Sequence, residues 1–278
     1  MNNVKAKRKR RRIIIIQTNS EIKTIHIKLP SCHKYIELLG TSDWHLEDRL
    51  CLENEIDTFI EYVLKRPNRF VIVNGDIFNV AIKNSKTGPY NQRMSLQEAK
   101  KLAKEKLSKI KQRILLIKPG NHEIRIEKEV DLDVMYDLAC ELGLEDKYVR
   151  EAGVLAIEYK KQLFTIDIAH GNGGGRTIGA KANKLAKRKD IVCNADVYII
   201  GHIHEVMAFP KKTFYFDKAT MTVKEMEHLF VSLNAFLKFG GYGYDWGLTP
   251  TVTRFPYIRL SVEGDRKHIN CNVGISNA

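Results

Sequence analysis

The sequence is poor in cysteine and has no pair of cysteines in the Cys-x-x-Cys spacing of zinc and redox sites. The five cysteines are odd in number and widely separated, which favours reduced thiols over a disulfide framework. The sequence also lacks an apolar run of the about 20 residues that a membrane-spanning helix needs. The apolar run at Ile13 to Ile16 is too short for the core of a signal peptide. We therefore expect a cytoplasmic protein with no membrane partner.

Acidic residues are scarce relative to basic ones. The chain has 33 Asp and Glu against 46 Lys and Arg, which gives a formal net charge of +13. Seven basic residues and no acidic residue lie in residues 1–12. Such a block is usually disordered and often contacts nucleic acid. We predict a disordered basic arm at 1–12, a single domain at 13–278, and an anionic partner, with nucleic acid first; the alternative is that the charge only keeps the protein soluble.

Five strand-like runs each end in Asp, Asn or His. The run Phe70 to Val73 leads into Gly75-Asp76. Four other apolar runs lead into Asp43-Trp44-His45, Gly120-Asn121-His122-Glu123, His170-Gly171 and Gly201-His202-Ile203-His204. One such ending is an ordinary turn. Because open α/β sheets bind ligands at the carboxyl ends of their strands, five endings together predict a single site.

The residue types indicate a metal site. Asp, His and Asn without a thiolate suit manganese, iron or zinc in the divalent state. Asp43 with His45, and His202 with His204, are separated by two positions, so the side chains of each pair point to the same side of an extended backbone. This spacing favours chelation.

In their order, the blocks Asp-x-His, Gly-Asp, Gly-Asn-His-Glu, His-Gly and Gly-His-x-His resemble those of the calcineurin-like metallophosphoesterase superfamily. The blocks span most of the chain, from Asp43 to His204. The resemblance implies an α/β fold, a four-layer α/β/β/α sandwich of two mixed sheets with a dinuclear metal site at the C-terminal ends of the strands.

The same resemblance implies a role for each residue. One ion would be held by Asp43, His45, Asp76 and His204, and the other by Asp76, Asn121, His170 and His202. Asp76 would then bridge the ions. His122 matches the histidine that is not a ligand and that stabilises or protonates the leaving oxygen; the alternative is that it only positions a neighbouring ligand.

Two divalent ions define the expected chemistry. Ions about 3.5 to 4 Å apart share a hydroxide, lower its pKa and clamp both oxygens of an in-line displacement at phosphorus. Manganese is the expected ion, with iron, zinc or nickel as alternatives. A histidine such as His122, with an unperturbed pKa of about 6.5, can donate a proton near neutral pH.

The residues after Asp76 separate branches of the superfamily. Protein phosphatases follow Gly-Asp with a further Asp and an Arg-Gly pair, whereas this chain has Asn79 and Val80 there. The carboxylate that orients the histidine and a phosphate-binding arginine are therefore missing. This favours the nuclease and phosphodiesterase branch.

Two further segments are candidates for substrate contacts. A glycine-rich loop follows His170 and leads into a predicted helix at 177–190, so we expect Arg176 and Lys181 to contact substrate phosphate. The alternative is that the loop only packs around a metal ligand. Aromatic residues alternate with glycines in 236–247, where the rings either stack on bases or anchor the loop.

Together these features predict a phosphodiesterase or nuclease that hydrolyses nucleic acid or nucleotide phosphodiesters with a hydroxide bridging two metal ions. One alternative is a phosphomonoesterase acting on small molecules or phosphoproteins. The other is a non-catalytic subunit that binds nucleic acid.

Overall fold

The computed structural model describes residues 13–16, 22–83, 85, 89–241, 244 and 250–274. The predicted arm at 1–12 lies outside these residues, as does most of the aromatic segment between 242 and 249. The described residues form two mixed sheets and five α-helices.

The smaller sheet has five strands. Its parallel part contains β3 (Tyr35–Thr41), β4 (Arg69–Asn74) and β5 (Ile114–Lys118). Two strands extend it beyond β3: β11 (Tyr257–Glu263) pairs antiparallel with β3, and β12 (Arg266–Asn272) pairs antiparallel with β11. Every residue of β4 and β5 is buried, because both faces of these strands are covered by other layers. This explains their continuous apolar runs.

The larger sheet has seven strands in the order β1-β2-β6-β7-β8-β10-β9. The strands are β1 (Ile13–Ile16), β2 (Lys23–Lys28), β6 (Gly153–Tyr159), β7 (Gln162–Ala169), β8 (Val197–Ile200), β9 (Met207–Asp217) and β10 (Thr222–Ser232). Strand β8 lies between β7 and β10 and is parallel to both.

The apolar residues form three cores that separate four layers. Between the sheets, side chains such as Ile72 and Ile166 pack in one core. The opposite face of β4, which includes Val71, packs on α1 (Glu53–Leu64), α2 (Leu96–Ile110) and α4 (Val134–Leu142). A smaller core joins the outer face of the seven-stranded sheet to α5 (Ile178–Ala186). The predicted α/β/β/α sandwich is confirmed.

Local signals set the helix starts. Ser95 begins α2 with a capping box in which its hydroxyl accepts the Glu98 N–H and the Glu98 carboxylate accepts the Ser95 N–H. The Asp133 side chain caps α4 and the Thr177 side chain caps α5.

None of the helices among the described residues is long and apolar enough to cross a bilayer.

The structure differs from the sequence-based expectation at three elements. The apolar runs Val206 to Phe209 and Thr213 to Phe216 predict two short strands, but strand β9 runs unbroken through Pro210 between them. Proline is tolerated there because β9 is the edge strand of its sheet. Two elements were not predicted, namely strand β12 and helix α3 (Asn121–Val130), which begins inside the Gly-Asn-His-Glu block.

A buried ion cluster joins three strands of the five-stranded sheet. Glu37 is 1% exposed, and its carboxylate accepts hydrogen bonds from Arg69 Nε at 2.8 Å and from Arg259 Nη2 at 2.9 Å. Glu37 lies on β3, Arg69 on β4 and Arg259 on β11. The cluster therefore ties the parallel and antiparallel parts of the sheet together.

We expect Glu37→Gln to lower the free energy of unfolding by about 3 kcal/mol, because it leaves the buried charge of Arg69 uncompensated. Glu263→Gln, at the exposed end of β11, is the matched control and should change stability by less than about 0.5 kcal/mol. Denaturant unfolding of both variants measures the difference. Equal stability of the two would contradict a structural role for the cluster.

Candidate metal centre

The five polar strand endings meet at one edge of the sandwich. Asp43 and His45 follow β3, Asp76 follows β4, and Asn121 begins α3 after β5. From the other sheet, His170 follows β7, and His202 and His204 follow β8. The parallel neighbours β3, β4 and β5 of one sheet thus end beside the parallel neighbours β7 and β8 of the other. Both sheets contribute to the site.

One group of side chains contains Asp43, His45 and His204. His204 Nε2 lies 3.1 Å from Asp43 Oδ1 and 3.4 Å from His45 Nε2. His45 Nε2 lies 3.9 Å from the same Asp43 oxygen. Atoms that bind a common ion at about 2.1 Å are separated by about 3 to 3.5 Å. The group is therefore close to the arrangement that one divalent ion requires.

A second group contains Asp76, His170 and His202, whose ligand atoms all lie within 4.8 Å of one another. His170 Nε2 is 3.0 Å from Asp76 Oδ2. Asp76 also forms a third group with His45 and His122. Asp76 thus lies between the two halves of the site, where a bridging carboxylate is expected.

The predicted ligand Asn121 lines the same cavity as His170 of the second group, and its amide oxygen is one of three unpartnered buried amide oxygens in the described chain, with those of Asn74 and Asn234. Asn121 Oδ1 is shielded from solvent and has no hydrogen-bond partner among the described residues. A buried acceptor without a partner costs about 1 to 3 kcal/mol, so a missing partner is expected at this atom. The donor set of carboxylate, imidazole and amide oxygen, without thiolate, fits a divalent manganese, iron or zinc ion.

Main-chain carbonyl groups orient three histidines. His170 Nδ1 is 2.6 Å from Asn74 O, and His202 Nε2 is 3.2 Å from Gly173 O. If each of these nitrogens donates its N–H to the carbonyl, the other nitrogen of the ring is left as a metal ligand. His122 Nδ1 is 2.7 Å from Asn79 O in the same way.

The contact of His122 changes the interpretation of Asn79. The sequence comparison with protein phosphatases indicated that the group orienting this histidine is missing. The main-chain oxygen of Asn79 fills that role, while the Asn79 side chain donates to Gln92 Oε1 at 2.8 Å. The imidazole of His122 is therefore held in place even though this chain has Asn79 where protein phosphatases have an aspartate.

The backbone at the ligands is left-handed and strained, so the extended conformation expected for Asp43 with His45 and for His202 with His204 is wrong. Positive φ angles occur at Asp43 (54°), His45 (46°), Asp76 (51°), His202 (64°) and His204 (50°). These are half of the ten positive-φ residues other than glycine in the described chain, so the strain is concentrated at the site. Each such conformation costs about 1 to 3 kcal/mol and persists only where the surroundings hold it. Backbone conformation thus aims the side chains before any ion binds.

Two glycines allow the strand ends to approach each other. A Cβ on Gly75 would lie 2.3 Å from Gly120 N, and Gly75 also has a φ of +80°. A Cβ on Gly120 would lie 2.1 Å from Asp76 Oδ1. The glycines of the Gly-Asp and Gly-Asn blocks are thus required because the chain segments are in direct contact.

Two buried glutamates that the sequence analysis did not select hold the site loops. The Glu123 carboxylate accepts the N–H groups of Gly120, Asp76 and Phe78 at 2.8 to 3.0 Å. The Glu47 carboxylate accepts those of Asn79 and Val80 at 2.7 and 3.1 Å. The position of Glu123 in the first turn of α3 resembles a capping box, a signal that was present in the sequence.

The electrostatics favour the metal-binding forms of two ligands. Burial opposes ionisation of Asp43, but His204 beside it lowers the pKa of the carboxyl group to about 2. Burial, with His122 nearby, lowers the pKa of His45 to about 3, so its imidazole is neutral. Burial would lower the pKa of His170, but the Asp76 carboxylate raises it to about 9. A cation at His170 must therefore displace a proton.

His122 lies at the open side of the centre. Its side chain is 22% exposed, and Nε2 is 3.9 Å from Asp76 Oδ2. The His122 N–H donates to Asp76 Oδ1 at 2.9 Å, and burial lowers the pKa of the imidazole. Since Nδ1 is engaged by Asn79 O, Nε2 is the nitrogen that faces the site. A partly exposed imidazole in this position can contact a substrate.

The predicted phosphate contacts are less central than the ligand set. Arg176 lies exposed in the loop before α5. Lys181 is 5% exposed, and its ammonium lies 3.0 Å from Glu205 Oε2, so the structure gives it a partner other than substrate. The roles predicted for both residues remain predictions.

In the aromatic segment, Phe236 is fully buried and its ring contacts those of Trp44, Phe59 and Phe255. The ring of Phe236 therefore anchors the loop and does not stack on bases.

No model of a known protein family matches the chain, and no curated protein matches it. Among solved structures, vacuolar protein sorting 29 from Cryptosporidium parvum is similar, with a TM-score of 0.40 and 13% identity over 86% of this chain and 98% of that one. A double mutant of Vps29 from Entamoeba histolytica has a TM-score of 0.42 and 12% identity over 85% and 98%. A serine/threonine phosphatase from Saccharomyces cerevisiae, with similarity to human phosphatase PP5, has a TM-score of 0.33 and 9% identity over 93% and 85%. At such scores the function must be inferred from the side chains of the site.

Proposed function

We propose that this chain is a phosphoesterase of the calcineurin-like metallophosphoesterase superfamily that binds two divalent ions and hydrolyses phosphodiesters of nucleic acid or nucleotides. The proposal rests on two neighbouring ligand groups, one of Asp43, His45 and His204 and the other of Asp76, His170 and His202. Asp76 links them, because it also forms a group with His45. The unpartnered Asn121 Oδ1 beside the second group supports the same site.

When bound, the two ions would polarise the phosphoryl oxygens and lower the pKa of a water molecule. The chain itself supplies position and proton transfer. The strained backbone and the carboxylates of Glu47 and Glu123 hold the ligand residues in place. When the ring of His122 carries a proton on both nitrogens, Nε2–H would give its proton to the oxygen that leaves phosphorus, while Nδ1–H donates to Asn79 O and keeps the ring oriented.

A diester of nucleic acid is favoured by charge. The chain carries a formal net charge of +13, and the site lacks the arginine that follows Gly-Asp in protein phosphatases. The first alternative is a phosphomonoesterase on small molecules or phosphoproteins. The second is a non-catalytic nucleic-acid-binding subunit, and the complete set of ligand side chains argues against it.

A substrate panel tests the proposal. The purified full chain, supplied with manganese, is offered single- and double-stranded DNA, RNA, cyclic nucleotides, bis(p-nitrophenyl) phosphate, p-nitrophenyl phosphate and a phosphopeptide. We expect metal-dependent hydrolysis of the diesters. Preference for the monoesters would replace the proposed diesterase with a phosphatase. Absence of metal-dependent turnover on every substrate would leave the non-catalytic alternative.

The basic arm gives a separate prediction. Deleting residues 1–12 should weaken binding to long nucleic acid and leave the hydrolysis of bis(p-nitrophenyl) phosphate nearly unchanged, because the arm lies outside the metal-binding blocks. Each phosphate contact contributes about −0.9 to the slope of log affinity against log salt on duplex DNA. A salt series with and without the arm measures the change in slope. The same slope for both proteins would show that the arm does not bind nucleic acid.

A further inference from the structure

A cavity of about 870 Å³ opens beside the metal centre. Its lining includes Asn121 and His170, so it begins at the second ligand group. One wall is α3, the other is α5 with the 3₁₀ turn that follows it (Lys187–Asp190), and the floor includes Lys118 and the chain after β7. A molecule in this cavity would be in contact with the proposed catalytic site.

The cavity is strongly basic. Seven lysine and arginine residues line it against one acidic residue, Glu151. Arg150 is paired with Glu127 and Glu151, and Arg188 with Asp167. No ion pair to a described carboxylate is formed by the other five, which are Lys118, Arg125, Lys128, Lys184 and Lys187. Most of the positive charge is therefore available to a ligand.

Lys118 is an independent sign of an anionic ligand. It is 3% exposed, and its ammonium donates to Pro119 O at 2.7 Å; the carboxyl groups of Glu123, Asp76 and Glu151 act on it only from beyond ion-pair distance. Burying a charge without a counterion is costly, and native proteins usually pair such groups. An anion in the cavity would supply the missing partner.

The cations extend in a row away from the metal centre. Asn121, Arg125 and Lys128 are four and then three residues apart on α3, so they share one face of the helix. On the opposite wall, Lys184 lies in α5 and Lys187 in the following turn. Charges on both walls, spread along α3 and from α5 into the following turn, suit a chain of phosphates rather than a single phosphate.

We infer that this cavity binds an unpaired polynucleotide strand, with the phosphates next to the scissile one held by the cations of its two walls; the inference rests on the proposed function. The cavity volume of about 870 Å³ lies within the range of ligand pockets, so the cavity holds a short stretch of a strand. Ile124 and Ile203 also line the cavity and offer apolar contact to sugars and bases, which only an unpaired strand exposes. No Phe, Tyr or Trp of the described residues lines the cavity, so the binding would depend on the backbone and not on base identity.

The test compares two double variants of the full chain. Lys128→Ala with Lys187→Ala removes two exposed cations of the cavity, and Lys65→Ala with Lys218→Ala removes two exposed lysines elsewhere. Fluorescence anisotropy gives the Kd for a labelled single-stranded oligonucleotide across a salt series. We expect the cavity variant to bind about tenfold more weakly and to lower the salt slope by about 1.4, since each phosphate contact on a single strand contributes about 0.7. The control pair should bind like the unmodified protein.

Catalysis separates this inference from the proposed function. With manganese, the cavity variant should hydrolyse bis(p-nitrophenyl) phosphate at the unmodified rate and show a raised KM only for oligonucleotides. Equal Kd for both variants, or tighter binding of a duplex or phosphopeptide than of the single strand, would overturn the inference. Weakened binding by the cavity variant in a protein without any metal-dependent hydrolysis would support the cavity and overturn the proposed function.

Discussion

Replacing Asp76 with Asn is expected to remove most of the bound metal and to lower the turnover of bis(p-nitrophenyl) phosphate by about 10³-fold, or about 4 kcal/mol. The reason is the position of Asp76 in two of the three groups of metal-ligating side chains. Its carboxylate would supply charge to both ions, and the amide that replaces it is neutral. Asn can still accept the His122 N–H, so the loop should keep its conformation.

Metal content and thermal unfolding check this prediction together. The unmodified protein should contain two ions per chain after manganese loading, and its Tm should rise with manganese because the ion binds only the folded state. Asp76→Asn should show less metal and little rise in Tm. Asp131→Asn is the matched control, since Asp131 is an exposed residue with a φ of 56° that Asn adopts readily. Full metal content in Asp76→Asn would mean that Asp76 is not a shared ligand.

Replacing His122 with Asn is expected to leave both metals in place and to lower turnover by about 10²- to 10⁴-fold. The imidazole is held through Nδ1 by Asn79 O, which leaves Nε2 toward the site, and its side chain is 22% exposed. If Nε2 assists departure of the leaving oxygen, a substrate with an acidic leaving group needs less assistance. The loss should therefore be smaller for p-nitrophenyl esters than for alkyl esters.

The comparison of leaving groups distinguishes His122 from a metal ligand. His268→Asn, at an exposed position on β12, is the control for loss of an imidazole. A lower metal content in His122→Asn would assign His122 to the group that it forms with His45 and Asp76. An equal loss for both leaving groups would mean that the imidazole positions the substrate and transfers no proton.

Much of the candidate site could be predicted from sequence because its parts are local. Each polar block directly follows an apolar run, and the end of a strand is where an α/β sheet binds ligands. Asp43, Asp76, Asn121, His170, His202 and His204 were selected in this way; the structure groups the Asp and His residues with His45, and Asn121 lines the same cavity as His170. The four-layer fold also followed from the resemblance of these blocks and is confirmed.

The groups that hold the site were harder to find. Glu47 and Glu123 act through contacts to main-chain N–H groups of other loops, up to 47 residues away in the chain. Sequence spacing does not encode such contacts. The contact between His122 Nδ1 and the main-chain oxygen of Asn79 was also not predicted. Every residue has a carbonyl oxygen, so the residue type does not indicate which one orients a histidine.

The amino-acid sequence by itself determined which residues are candidate metal ligands, because residue type sets which ions a donor can bind and strand endings set where the donors lie. Only the tertiary structure decided which basic residues face the site. Lys181, for which a phosphate contact remains a prediction, is buried against Glu205, whereas Lys118, Arg125 and Lys128 line the cavity beside the candidate metal centre. The physical reason is that the availability of a charge depends on its nearest counterion, and the packing of α3, α5 and the two sheets determines which carboxylates lie within reach.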